Sequence, residues 1–305
     1  MERYQLITVL GPTASGKTAF AATLAEKLNT EIISADSRQV YRSMDIGTGK
    51  DTGDYVVNGK AVPYHLIDIC EPGYTYNVFE YQRDFFRAYE GIRHKGKLPV
   101  LCGGTGLYIE AVLKGYQLPH APENPELRRA LKDKSLKELE DVLANYKTLH
   151  NQTDVDTAQR AIRAIEIAAY GRQEASSAKG FPPIRSLVIG MDISREARRQ
   201  KISERLHARL KEGMIEEVKH LLDSGIRPEA LINYGLEYKY LTLFVTRQLS
   251  YGEMVSQLEI AIHRFAKRQM TWFRGMERRG CTIHWIDAFL AADEKIAITE
   301  SLLKQ

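Results

Sequence analysis

Gly11-Pro12-Thr13-Ala14-Ser15-Gly16-Lys17-Thr18 satisfies the pattern G-x-x-x-x-G-K-[ST] at every position. Its glycines let successive backbone N–H groups turn inward, a helix N-terminus adds positive partial charge, and Lys17 supplies a mobile cation. Such a loop holds a pair of linked phosphates, and the Thr18 hydroxyl is placed to ligate Mg²⁺. Nothing in its physics requires those phosphates to belong to ATP. A water-activating ATPase usually adds four apolar residues ending in an Asp-Glu pair. The nearest run here, Leu66-Ile67-Asp68, offers only an aspartate suited to a turn or the surface.

A second carboxylate carries more chemistry. Asp36, in Ser34-Ala35-Asp36-Ser37, can help organise Mg²⁺, take a proton from an acceptor nucleophile, or serve as a plain turn or N-cap residue. Gly103-Gly104-Thr105 likewise reads two ways. Its glycines permit close backbone approach and its hydroxyl can bind a ligand, or Thr105 merely caps the next helix.

These residues need elements to place them. Leu6 to Leu10 is a short apolar run closed by Gly11-Pro12, which predicts a buried parallel strand, and Phe20, Leu24 and Leu28 predict one face of a helix over 16–28. Further strands are expected from Ile32 toward Asp36, over Leu98 to Cys102 and over Leu187 to Met191. Ligands of such sheets bind beyond the carboxyl ends of the strands, so Asp36 should face Lys17. Between Pro119 and Pro182-Pro183, helical spacing recurs at Leu127, Leu131, Leu136, Leu139, Val142 and Leu143. The expected fold is therefore α/β: a P-loop NTPase-like parallel sheet with helices on both faces, residues 1–118 and 184–305, carrying an inserted small helical domain, 119–183.

Composition is that of an ordinary soluble globular chain of 305 residues, 44% hydrophobic and 27% charged, which excludes disordered and low-complexity classes. No run approaches the ~18 apolar residues of a membrane helix and the N-terminus lacks a signal-peptide layout, so the expectation is cytoplasmic. Cys70, Cys102 and Cys281 are too dispersed for a zinc site or disulfide framework, and read as buried free thiols. The net charge is only +4, but residues 263–279 hold Arg264, Lys267, Arg268, Arg274, Arg278 and Arg279 against Glu277 alone. Leu258, Ile262, Phe265, Trp272 and Met276 predict the packed face of a helix there; Arg264, Lys267, Arg268 and Thr271 fall on another face. That basic face is either solvated or laid against RNA phosphates.

GPTASGKT at 11–18, Ile33-Ser34-Ala35-Asp36-Ser37 running on to Val40-Tyr41 and Met44-Asp45-Ile46-Gly47-Thr48-Gly49-Lys50, Gly103 to Tyr108, and Ala266-Lys267-Arg268-Gln269-Met270-Thr271-Trp272-Phe273-Arg274 together resemble the tRNA dimethylallyltransferases. That family places an isopentenyl group on N6 of the adenine immediately 3′ of the anticodon. The resemblance implies that Gly11 through Thr18 hold the diphosphate of dimethylallyl diphosphate with Mg²⁺ on Thr18, and that Asp36 is the general base. It implies Arg205 on the diphosphate, and Thr105 with Asp36, Ser37, Arg38 and Gln39 against tRNA. Arg128 and the stretch Gln159, Arg160, Ala161, Ile162 and Arg163 would meet tRNA from the insertion; the basic face read above adds Lys267 and Arg268 as tRNA contacts. Gly235-Leu236-Glu237-Tyr238 departs from the Gly-Tyr-Arg usual in many members, and His263 stands for a threonine. The partners so implied are tRNA and dimethylallyl diphosphate, and the chain is expected to be a monomer. A P-loop kinase, an adenylate isopentenyltransferase and a non-enzymatic RNA-binding module share parts of this pattern.

Overall fold

The computed structural model describes residues 3–119, 121–146, 157–173 and 180–305. It divides into two units, Met1–Lys114 with Pro183–Gln305, and Gly115–Pro182. In the first unit the chain forms β1 (Leu6–Leu10), α1 (Lys17–Lys27), β2 (Ile32–Ser34), a 3₁₀ turn (Thr52–Tyr55), β3 (Val56–Val57), β4 (Lys60–Ala61), β5 (Tyr64–His65), α2 (Val78–His94), β6 (Val100–Gly103) and α3 (Gly106–Leu113). The second unit supplies α4 (Pro125–Leu131), α5 (Leu136–Ala144) and α6 (Ala158–Gln173). The first unit then resumes with β7 (Ser186–Asp192), α7 (Arg195–Lys211), α8 (Met214–Asp223), α9 (Pro228–Ile232), α10 (Leu236–Val245), α11 (Tyr251–Arg278), β8 (His284–Asp287) and α12 (Ala292–Lys304).

Six strands make one sheet in the order β5-β2-β6-β1-β7-β8, every pair parallel. Both faces are covered, so the central strands are buried along their length rather than alternating between buried and exposed. Period-2 geometry divides them: Ile7, Val9, Ile32, Val100, Cys102, Leu187, Ile189 and Met191 share a core with Phe20 and Leu24 of α1 and Ile296 of α12. Leu6, Thr8, Leu10, Ile33 and Leu101 point to the opposite face, on the side of α2, α3 and α11, which pack on one another. There Tyr81 stacks on Tyr108 with ring centroids 4.0 Å apart.

The pairing register brings three strand ends together. Leu10 lies opposite Gly103, and Ser34 opposite Cys102, so the loops after β1, β2 and β6 leave the sheet side by side. Strand β8, His284-Trp285-Ile286-Asp287, was not expected from the sequence. The expected thiols are free, but only Cys102 is buried; Cys70 and Cys281 are half-exposed.

The helical unit has its own core of Leu131, Leu139, Leu143, Ala161 and Ile165. Its helices begin where the side chains dictate: Asn124 caps α4, with Pro125 at the first turn, and Ser135 and Glu138 form a capping box on α5. Residues 120, 147–156 and 174–179 of the expected insertion lie outside the described residues.

Candidate active site

The loop between β1 and α1 takes the form its sequence predicts. Ala14 and Gly16 adopt positive φ, 63° and 75°, so the backbone curls into a cradle that ends in the first turn of α1, with Gly16 as N-cap. The Ser15 hydroxyl, 2% exposed, is buried without a protein partner. A buried polar group in that state is built for a ligand or ordered water.

This cradle is one wall of a cleft of about 410 Å³. Ala14, Ser15, Gly16, Lys17 and Thr18 line it on one side, Asp51 and Asp54 on another, and Lys201, Glu204, Arg205 and Ala208 of α7 on a third. Arg205 reaches across it and donates to the Thr13 hydroxyl. Burial depresses the Arg205 pKa to about 10, and the neighbouring Arg209 guanidinium pushes it the same way. Burial also lowers the Lys17 pKa, against the opposing pull of Cys102 and Asp36. Two desolvated cations therefore face the cleft, an arrangement that favours an anionic ligand. Arg209 itself is 7% exposed and makes a two-pronged pair with the Asp51 carboxylate, both contacts 3.0 Å. Burial raises the Asp54 carboxyl, with the Asp51 charge adding to it.

Asp36 follows β2 and its charge reaches both Lys17 and Arg205, as the strand order requires. Its Oδ1 accepts the Arg38 N–H at 2.8 Å, an Asx turn that fixes the carboxylate. Thr105 does precede α3, but its hydroxyl makes no capping bond to that helix. Instead Thr105 Oγ1 accepts the Ser37 N–H at 3.1 Å, which ties the loop after β6 to the loop bearing Asp36. Gln39 turns inward, donating to the Gly49 carbonyl at 2.9 Å.

The remaining residues expected to meet tRNA have the following surroundings. Arg128 and Arg163 both pair with the nearly buried Glu166, at 2.8 Å and 3.0 Å, and Arg163 also donates to the Ala121 carbonyl at 2.7 Å. Ala161 is wholly buried in the core of the helical unit and Ile162 packs against that core, so the Ala161 side chain offers nothing to a ligand. Gln159 and Arg160 are exposed. On α11, Arg264, Lys267, Arg268 and Thr271 lie on the exposed face. The packed stripe is Leu258, Ile262, Ala266, Gln269, Phe273 and Met276. Phe265, expected among them, is 38% exposed and instead sits under Arg268, 5.8 Å from ring centre to guanidinium.

Sequence reasoning missed Asp51, Asp54, Lys201, Glu204, Arg209 and Gln269 as site residues. It also missed Glu217, whose carboxylate accepts the N–H groups of Asp45, Ile46 and Gly47 at 2.8, 2.7 and 3.0 Å. That contact holds the loop which ends at Asp51. Glu237 borders Arg205 and Arg209, and burial raises its carboxyl against the pull of both guanidiniums.

Among the described residues no cluster of three or more His, Cys, Asp or Glu is arranged for a metal ion. Mg²⁺ needs no such cage; it binds through one or two protein oxygens, substrate phosphates and water. Thr18, Asp54 and the unpartnered Ser15 hydroxyl fit that donor set.

An IPP transferase family model matches residues 39–276, and an isopentenyl transferase model matches residues 4–61. The chain is 69% identical to tRNA dimethylallyltransferase 1 of Parabacteroides distasonis, covering 99% of each protein. It is 64% identical to tRNA dimethylallyltransferase 2 of Bacteroides fragilis over 100% of both. Among solved structures, the full-length tRNA isopentenylpyrophosphate transferase of Bacillus halodurans is 32% identical, with TM-score 0.72 over 99% of this chain and 96% of that one. A eukaryotic dimethylallyltransferase acting on tRNA shares the fold at TM-score 0.77 and 21% identity, over 98% of this chain and 79% of that one. The phosphate cradle, the carboxylate beside it and matches spanning the whole chain lead to one assignment: the chain belongs to the tRNA dimethylallyltransferase family.

Proposed function

We propose that the protein transfers the dimethylallyl group of dimethylallyl diphosphate to N6 of the adenine adjacent to the anticodon of tRNA, releasing diphosphate. The observation that carries this reading is the joint placement of Lys17, Arg205 and Asp36 at the carboxyl ends of β1 and β2. Two desolvated cations bind and stabilise a leaving diphosphate, and the carboxylate next to them accepts a proton from an incoming nucleophile.

The exocyclic amine of adenine is a weak nucleophile because its lone pair is delocalised into the ring. The Asp36 carboxylate accepts one of its N–H hydrogens, pushes electron density toward nitrogen and takes the proton as the C–N bond forms. The allylic C–O bond breaks with its electron pair going to diphosphate. Charge then grows on the diphosphate, which the amides of residues 14–18, Lys17 and Arg205 surround, so little reorganisation is required. Thr18, with Asp54 lining the same cleft, would hold Mg²⁺, which would neutralise more of that charge. Adenine must leave its stack to reach Asp36, at a cost of a few kcal/mol. Phosphate contacts from the exposed Arg264, Lys267 and Arg268 help to repay it. Nothing in the site favours the kinase reading, for which ATP would be the donor.

The test is direct. Unmodified tRNA, dimethylallyl diphosphate and Mg²⁺ are incubated with the protein, and the digested nucleosides are weighed. An adenosine heavier by one isopentenyl group supports the proposal. Absence of that product, with phosphate transferred from ATP instead, overturns it.

A further inference from the structure

Gln269 sits on the packed stripe of α11, 8% exposed, among apolar neighbours where a leucine or methionine would ordinarily serve. Its side-chain amide spans two loops. Oε1 accepts the Thr13 N–H at 2.8 Å, and Nε2 donates to the Gly104 carbonyl at 2.9 Å. Thr13 belongs to the diphosphate cradle and receives Arg205 on its hydroxyl. Gly104 precedes Thr105, whose Oγ1 holds the Ser37 N–H beside Asp36. A continuous chain of contacts thus runs from Arg205 through Thr13, Gln269 and Gly104 to the Asp36 loop, and Gln269 is its central link.

We propose that Gln269 is a positioning residue for prenyl transfer: it sets the spacing between the loop that holds the donor and the loop that aims the acceptor base. This rests on the function proposed above. The chemistry of the side chain supports it. The bridge needs one acceptor and one donor on a single planar group, which glutamine has, whereas glutamate lacks the donor and leucine or methionine lacks both. The opposing residue is also fixed. A Cβ on Gly104 would lie 2.5 Å from Gln269 Nε2, so the bridge closes only where residue 104 has no side chain. Without the bridge a Thr13 donor and a Gly104 acceptor lose their partners, and both loops must shift to repair the loss. Each substrate still finds its own loop, but the carbon under attack and the attacking nitrogen are no longer held in line.

The experiment is kinetic. Wild type, Q269M and G104A are compared at saturating tRNA and donor, together with dissociation constants for inorganic diphosphate and for tRNA. Positioning predicts that Q269M keeps both dissociation constants within about threefold while kcat falls by about 10- to 100-fold, as expected for a small misalignment of reacting groups. G104A should show the same split through the same contact. The double variant G104A/Q269M should be no slower than the slower single, because both changes break one bridge. Should Q269M prove too unstable to purify, G104A carries the test alone. A kcat within about threefold of wild type in either variant overturns the inference, as does a loss confined to melting temperature, or losses that simply multiply in the double variant. A wild type that makes no prenylated nucleoside would instead defeat the function on which it rests.

Discussion

Replacing Arg205 by glutamine should weaken the diphosphate donor sharply while sparing tRNA. Arg205 lines the cleft, is anchored on Thr13, and carries its charge at the cost of desolvation, since its pKa is only about 10. A hydrogen bond to a charged group contributes about 1.5–3 kcal/mol. At 1.4 kcal/mol per factor of ten, loss of one such contact corresponds to about 10- to 150-fold in affinity. Calorimetric titration with inorganic diphosphate at pH 7.5 reads that factor, and filter binding of tRNA should move by less than about threefold. The pH dependence gives a second arm. Arg205 binds anions only when protonated, so its contribution is complete well below pH 10 and is lost as pH rises through about 10. Diphosphate affinity of wild type should therefore decline between about pH 8.5 and 10.5, and R205Q should lose that part of the decline which Lys17 does not contribute. An R205Q affinity within about threefold of wild type, or an unchanged pH slope, would refute the reasoning.

Three further outcomes are expected. Lys17→Ala and Thr18→Ala should each weaken diphosphate far more than tRNA, as separate titrations will read, because both side chains line the cleft. A triple glutamine variant at Arg264, Lys267 and Arg268 should bind tRNA more weakly and with a flatter salt dependence, since fewer counterions are released; an unchanged slope, with helix content preserved by circular dichroism, would mean the face is merely solvated. Glu31→Gln should lower stability at neutral pH by about 1–3 kcal/mol. Burial alone would raise the Glu31 carboxyl, but hydrogen bonds from Lys95 and His65 hold it below its ordinary value of 4.5. Its contribution is thus present above pH 4.5 and lost as pH falls through the lower folded value, so the two melting curves should converge in acid.

The geometry of the loop from Gly11 to Thr18 was legible because it is local: eight consecutive residues carry the turn, the cation and the hydroxyl. Asp36 was legible for a related reason, since a residue just past a buried strand must emerge at the ligand edge of a parallel sheet. Arg209 gave no such signal. Its partner Asp51 is 158 residues away, and an arginine on a helix otherwise reads as a surface charge. The packed face of α11 was misjudged at Phe265 because hydrophobicity favoured the aromatic, whereas the observed stripe passes through the small Ala266 and the polar Gln269. The pairing of Arg128 and Arg163 with Glu166 was not legible either, because nothing in the sequence marks Glu166 as buried and in need of a counter-charge. Strand β8 escaped because four residues bounded by His284 and Asp287 carry too little apolar pattern.

Asp36→Asn decides the central claim most directly. Single-turnover formation of the prenylated nucleoside is measured with enzyme in excess over tRNA and saturating dimethylallyl diphosphate, alongside the tRNA dissociation constant. Asparagine keeps the shape and the acceptor for the Arg38 N–H but cannot take the proton. The account predicts normal tRNA affinity with a rate lower by about 10² to 10⁴, and a rate within about threefold of wild type would contradict it.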